Sequence, residues 1–100
     1  MPFQGAPLMS SGSESRNLVA MSRFILHHQH TPGECRIVFA SWKGFASPLR
    51  HRATVGSCAW GGHEIWWDTE AASEKDALGQ LPAFVAARTT PVRIGEVEFP

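Results

Sequence analysis

The sequence predicts an α+β domain in which one four-stranded antiparallel sheet carries two helices on one face. Three observations indicate this class. Strand-like and helix-like stretches follow one another in the order β-α-β-β-α-β, 43% of the residues are hydrophobic, and the pair Gly61-Gly62 separates the second and third strand-like stretches. A Gly-Gly pair is typical of a two-residue hairpin turn. Two interleaved β-α-β crossovers then give the split, ferredoxin-like arrangement.

The first half of this pattern contains a strand and a helix. Residues 23–30 form the predicted first strand, and its period of two places His28 and His30 on one face with His27 on the other. Thr31 as N-cap, Pro32 at the first helical position and Glu34 closing an S/T-x-x-E capping box predict that a helix begins there. The helix is expected to end at Gly44. Its side chains expected to face the core are Cys35, Val38, Phe39 and Trp42.

The second half contains a hairpin, a helix and a last strand. Residues 52–60 and 63–69 form the predicted second and third strands, joined by Gly61-Gly62. Ser73 predicts the start of a second helix, which Pro82 kinks or divides. Residues 92–99 form the predicted fourth strand, with a bulge at Gly95.

The domain organisation is expected to be simple. Residues 1–20 are rich in Gly, Ser and Pro and predict a disordered leader, which a start codon assigned too early would explain, whereas residues 21–100 are expected to form the ferredoxin-like domain. The alternative is a short extra strand at residues 17–20. A domain this small buries only about 60–65% of its unfolded surface, so oligomerisation would add stability.

Composition excludes several classes of function. The formal net charge is zero, which removes the electrostatic footprint of a nucleic-acid-binding protein; Arg50-His51-Arg52 is expected to be a solvated basic loop. No apolar run of about 18 residues or more indicates a membrane segment. Two cysteines do not make a disulfide scaffold, and the N-terminus does not resemble a secretory signal. A cytoplasmic protein with reduced thiols is therefore expected.

The predicted topology brings the chemically reactive side chains to one edge of the sheet. Strand one lies centrally between strands three and four and ends at the edge where the first helix begins, where the hairpin turns and where the second helix ends. The expected neighbourhood comprises His28, His30, Glu34, Cys35, Cys58, His63 and Arg88, whereas Arg50, His51 and Asp68 are expected at the opposite edge.

Structural interpretations of the same residues remain open. On the apolar helix stripe, Cys35 is expected to be a buried, inert thiol, although a helix N-terminus would lower its pKa. Cys58 fits packing or function equally well, and the His28, His30 and His63 group fits either role. His27 is expected to be structural or at the surface. Trp66 and Trp67 are adjacent in sequence, so one of them faces the outer side of the sheet and is covered by a second subunit or lines a cavity.

The order of elements and the aromatic outer sheet face resemble those of the dimeric α+β-barrel superfamily over residues 21–100. Its members include small monooxygenases, muconolactone isomerase-like enzymes, stress-responsive barrel proteins and haem-binding relatives, and they pair two subunits sheet to sheet. The resemblance implies a homodimer and transfers no catalytic residue. The stretches His27-His28-Gln29-His30, Ser57-Cys58, Gly61-Gly62-His63, Trp66-Trp67 and 84–89 also resemble small actinobacterial-type proteins of unassigned function.

Three functions compete, with the first slightly favoured. His28, His30, His63 and Cys58, with Glu34 as a possible further ligand, would bind a transition metal such as zinc, nickel, copper or iron. Alternatively, His28 or His63 would act as general base, or Cys58 as nucleophile, in a cofactor-independent enzyme that binds a small organic substrate through Trp66, Trp67 and Arg88. The third possibility is a non-catalytic binding module.

Overall fold

The computed structural model describes residues 20–100, so the predicted leader lies outside the described residues apart from Ala20. Four strands form one antiparallel sheet in the order β2-β3-β1-β4. The strands are β1 Ser22–Gln29, β2 Val55–Gly56, β3 Glu64–Ala71 and β4 Thr89–Ile94, and the helices are α1 Cys35–Ala40, α2 Glu74–Leu78 and α3 Ala83–Ala86. The fold is α+β, and β1 lies between β3 and β4 as predicted.

Alternation along β1 and β3 directs one face of the sheet into the core. Leu26 pairs with Trp67 and His28 pairs with Ile65, and all four side chains are buried. Helix residues pack on this face, and the buried hydrophobic cluster is Phe24, Leu26, Val38, Leu49, Ile65, Trp67, Ala71, Ala77, Leu81 and Val85. Burial of a side chain such as Leu26 contributes about 1.5–3 kcal/mol to the stability of the fold. The packing of this face therefore stabilises the edge of the sheet that carries the histidines.

The predicted second strand and hairpin turn are wrong in detail. Only Val55–Gly56 pairs with β3, and the chain then leaves the sheet through a 3₁₀ turn at Cys58–Trp60. The Ser57 N–H donates to the Glu64 carbonyl at 2.8 Å, and the Gly62 N–H donates to the Ser57 carbonyl at 2.9 Å. The connection is therefore a longer loop, closed at its base by the bond between Ser57 and Glu64, not a two-residue turn at Gly61-Gly62.

The helices are shorter than the sequence predicts. A single 3₁₀ turn, Pro32–Glu34, precedes α1, which ends at Ala40 instead of continuing to Gly44. Pro82 divides the second helical segment into α2 and α3, as predicted, because its ring cannot continue a helix. In the part of the chain that the structure describes, no helix has both the length and the apolar character needed to cross a membrane.

The last strand is shifted towards the N-terminus relative to its prediction. It covers Thr89–Ile94 instead of residues 92–99, because Thr89 already pairs with His28 and Thr90 with His27. Pairing ends before Gly95, so the expected bulge does not form. The shift places Thr89 beside the buried end of β1.

The homodimer remains a prediction, and the outer face of the sheet is the surface that a second copy would cover. This face carries Ile25, Trp66 and Val92, of which Val92 is 46% exposed, next to the ion pair between Arg23 and Asp68. If a second copy covers this face, light scattering after gel filtration is expected to give twice the mass of one chain. The Trp66→Glu variant is expected to elute as a monomer, and a wild-type monomer at micromolar concentration would contradict the prediction.

Candidate metal centre

Four side chains at one edge of the sheet form a compact His₂Cys₂ group. One ligand atom each from His30, Cys35, Cys58 and His63 lies within 4.8 Å of the others. His30 is buried with 8% of its surface exposed, whereas the other three are partly exposed. The group is thus close to solvent on one side, where an ion can enter.

The end of β1 and the start of α1 contribute the first half of the group. The Thr31 N–H donates to Glu34 Oε1 at 3.0 Å, and the Glu34 N–H donates to the Thr31 carbonyl at 2.9 Å. These bonds fold residues 31–34 into the 3₁₀ turn that separates His30 from Cys35. The expected capping interaction of Glu34 therefore positions the thiol of Cys35 next to the histidine.

The loop between β2 and β3 contributes the second half. Gly62 is favoured here, because a Cβ at this position would overlap the Ser57 side chain and lie 2.8 Å from Ser57 Cβ. The same Ser57 hydroxyl accepts the Glu64 N–H at 3.0 Å. This loop fixes Cys58 and His63 on the same side, and the His30 N–H donates to the His63 carbonyl at 3.1 Å, which ties the loop to the end of β1.

His63 carries two unusual features. Its φ of 53° lies in the left-handed region, where a non-glycine residue costs of order 1–3 kcal/mol. Its Nδ1 is buried and has no hydrogen-bond partner among the described residues. A buried polar atom without a partner costs about 1–3 kcal/mol. The unpaired nitrogen is explained if Nδ1 is a ligand atom.

Hydrogen bonds from the core set the tautomer of His30. His28 Nδ1 lies 3.2 Å from the Val85 carbonyl and 3.0 Å from Thr89 Oγ1. Because the carbonyl only accepts, Nδ1 of His28 carries the proton and its Nε2 is an acceptor. His28 Nε2 lies 3.0 Å from His30 Nδ1, so His30 donates from Nδ1. The lone pair of His30 Nε2 is therefore directed away from the core, towards Cys58 Sγ at 3.5 Å.

The electrostatic surroundings favour neutral side chains. Burial lowers the pKa of His28 most strongly, and burial followed by the nearby His63 lowers the pKa of His30. Burial and then a hydrogen bond with Cys35 raise the pKa of the Cys58 thiol. Neutral imidazole is the form that binds a metal ion, so His30 is ready as a ligand, whereas the Cys58 thiol has to lose a proton on binding.

Two other predicted site residues are engaged with each other. Arg88 Nε donates to Glu34 Oε2 at 3.2 Å, and the guanidinium of Arg88 lies 3.6 Å from the centre of the Phe84 ring. Glu34 uses its other oxygen for the Thr31 N–H, and this bond is the main cause of its lowered pKa, followed by Arg88. Glu34, predicted as a further ligand, and Arg88, predicted as a substrate anchor, therefore form an ion pair with each other.

The two adjacent tryptophans lie on opposite faces of the sheet, as alternation predicts. Trp67 is buried and lines a cavity. Trp66 stacks on His27 with ring centres 5.3 Å apart on the outer face, and His27 Nε2 lies 2.6 Å from Glu64 Oε1. His27 is thus a surface residue, as predicted, and Trp66 does not share a pocket with Trp67.

The structure groups a slightly different set of residues from the one that the sequence suggested as ligands. His30, Cys58 and His63 are together, Cys35 joins them, and His28 lies behind His30 with both ring nitrogens engaged. The signal for Cys35 was the spacing: His30-x₄-Cys35 and Cys58-x₄-His63 are two equal pairs separated by 22 residues. Two short pairs separated by a longer segment are common in zinc sites.

Comparisons with known proteins do not assign a function to this group. No protein-family model matches the chain. No curated protein and no solved structure matches it either. The ligand set, its burial and its hydrogen bonds therefore carry the functional interpretation.

Proposed function

We propose that this protein binds one zinc ion through His30 Nε2, Cys35 Sγ, Cys58 Sγ and His63 Nδ1. The observation that carries the proposal is the proximity of these four side chains, whose ligand atoms lie within 4.8 Å of one another. Binding would also give the unpaired Nδ1 of His63 a partner. A tetrahedral site with Zn–S near 2.3 Å and Zn–N near 2.0–2.1 Å separates neighbouring nitrogen and sulfur ligands by about 3.5 Å, which matches the 3.5 Å between His30 Nε2 and Cys58 Sγ.

The donor set favours zinc over the other transition metals. Two thiolates and two neutral imidazoles in tetrahedral geometry are typical of zinc, whereas copper(II) and nickel(II) prefer square-planar or tetragonal sites. Four protein ligands leave no open coordination position, which is typical of a structural zinc site. The ion would hold together the end of β1, the start of α1 and the loop before β3.

We also propose that the sheet is of the ferredoxin-like kind within a cytoplasmic protein. The strand order β2-β3-β1-β4 supports the first part, because interleaved β-α-β units place the first strand in the interior. The feature that departs from this fold is β2, which has only two residues. Two free cysteines support a reducing compartment.

Metal titration of EDTA-treated protein tests the zinc proposal. One equivalent of zinc per chain is expected to be retained after dialysis. Free zinc at 100 times the Kd stabilises a protein by about 2.7 kcal/mol, which corresponds to a rise in Tm of roughly 10–20 °C for a domain of this size. Cobalt(II) in place of zinc is expected to give the intense visible bands of a tetrahedral site and thiolate charge-transfer absorption.

Single substitutions identify the ligands. Cys35→Ser and Cys58→Ser are each expected to weaken zinc binding and to reduce the thiolate absorption of the cobalt form, whereas His27→Ala is the matched control that leaves both unchanged. Absence of retained zinc in the wild type would overturn the proposal. If Cys35→Ser binds zinc as the wild type does, the ligand set is not the one proposed.

A further inference from the structure

A cavity next to the metal centre has no assigned role. Its volume is about 560 Å³, which falls in the range of roughly 300–1,000 Å³ for sites that bind small organic molecules. It lies between α1, the segment 42–54 and the sheet. Cys58 is one of its lining residues, so the cavity extends to the edge that carries the His₂Cys₂ group.

The inner wall of the cavity is apolar and aromatic. Val38, Leu49 and Ile65 line it and are buried in the core. The rings of Trp42 and Trp67 also line it, with their centres 5.8 Å apart. Such a wall favours a ligand with a hydrophobic body, above all an aromatic one, because offset and tilted ring contacts add to the energy of burial.

The outer part of the cavity is cationic. Among residues 20–100, Lys43, Arg50 and Arg52 line it together with the apolar residues, and no Asp or Glu of this range does. Arg52 donates to the Asp68 backbone carbonyl, a neutral acceptor. Within residues 20–100, neither Lys43 nor Arg50 forms an ion pair. Charge complementarity therefore favours a ligand that carries a negative charge at one end.

The sequence shows that positive charge is concentrated in one segment, although the chain is neutral as a whole. Residues 35–63 contain four Lys or Arg residues and no acidic residue. The opposite charges lie elsewhere in the chain, for example at Asp68 and Glu70 on the far end of β3. The zero net charge excludes a broad electrostatic footprint, but it does not exclude a local anion site.

We propose that this cavity binds a small organic carboxylate, with its hydrophobic body against Trp42 and Trp67 and its charged group at Arg50 and Lys43. The cation that the sequence suggested for this purpose, Arg88, is paired with Glu34. The cations of the segment 43–52 take its place. The proposal does not depend on zinc, because among residues 20–100 Cys58 is the one residue shared by the cavity lining and the His₂Cys₂ group.

Calorimetric titration with 1-naphthylacetate and its neutral analogue 1-naphthylacetamide tests the proposal. The carboxylate is expected to bind about tenfold more tightly than the amide, a difference typical of one charge-assisted contact. Arg50→Gln is expected to reduce this preference to about threefold or less, with little effect on the affinity for the amide. Trp42→Ala is expected to weaken the binding of both compounds.

Arg36→Gln is the matched control, since it removes the same charge from α1 at a residue that does not line the cavity. It is expected to leave the preference for the carboxylate unchanged. Equal affinities for acid and amide, or no binding of either at millimolar concentration, would overturn the proposal. So would an effect of Arg36→Gln equal to that of Arg50→Gln, or binding of inorganic phosphate as tight as that of the carboxylate. The preference for the carboxylate is expected in both EDTA-treated and zinc-loaded protein. Failure of the zinc proposal can therefore be told apart from failure of the cavity proposal.

Discussion

The His63→Asn variant is expected to bind zinc more than about 100-fold more weakly than the wild type, a larger loss than is typical for a residue that only supports a ligand. Its metal-free form is expected to be at least as stable as the wild type. The φ of His63 is 53°, and Asn, like His, adopts the left-handed region more readily than most residues, so the replacement adds no backbone strain. Replacement also removes the imidazole whose Nδ1 is buried and finds no partner in the described part of the chain. The two effects have opposite signs, which a purely structural histidine would not produce.

His51→Asn is the control for this variant. Among residues 20–100, His51 and His63 are the two non-glycine residues with positive φ, and both are histidines. His51 lies outside the metal-binding group, so its replacement is expected to leave zinc affinity unchanged. Zinc affinity is measured by competition with a chromogenic chelator, and the stability of the metal-free proteins by urea denaturation. An unchanged affinity in His63→Asn, or an equal loss in both variants, would contradict the assignment of His63.

The location of the site could be predicted because antiparallel topology is determined by the order of the elements. Once β1 lies between β3 and β4, the end of β1 and the start of β3 share an edge. The backbone bond between the His30 N–H and the His63 carbonyl shows this proximity directly. Alternation likewise predicts that His27 faces outward, where it stacks on Trp66.

The composition of the group was harder to predict. A helix that continues to Gly44 places Cys35 on a buried stripe, but α1 has only six residues and Cys35 stands at its start, facing the edge of the sheet. The positively charged residues that line the cavity were equally hard to predict. Arg50 was expected at the far edge of the sheet, but the segment 42–54, which has no regular strand or helix, folds over the core and brings it to the cavity together with Arg52.

For His28, periodicity indicates the face of the sheet but not the role of the side chain. It shares a face with His30, as predicted, and their nitrogens lie 3.0 Å apart. Whether such a residue binds the metal or supports a ligand depends on what lies beneath it. Here the Val85 carbonyl accepts from Nδ1, and no strand pattern in β1 reveals the position of α3.

The His28→Leu variant is expected to bind zinc about 10–100-fold more weakly, the usual loss when the partner of a ligating histidine is removed. Leucine keeps most of the volume at a side chain with 0% exposure, but it leaves His30 Nδ1 without an acceptor. The proton of His30 is then free to move to Nε2, which removes the lone pair proposed to bind the ion. The unpaired buried nitrogen is also expected to lower stability by about 1–3 kcal/mol.

His28→Gln separates this mechanism from a packing defect. Its side-chain oxygen can accept from His30 Nδ1 in place of the imidazole Nε2, so zinc affinity is expected to recover most of the loss seen in His28→Leu. His27→Leu, the same change one residue earlier on the outer face, is expected to leave zinc affinity unchanged. Equal affinities of the Gln and Leu variants would show that the acceptor is irrelevant. Because the hydrogen bond from His28 to the Val85 carbonyl links the ligand to α3, recovery by Gln would show that the core of the protein sets the tautomer of its metal-binding histidine.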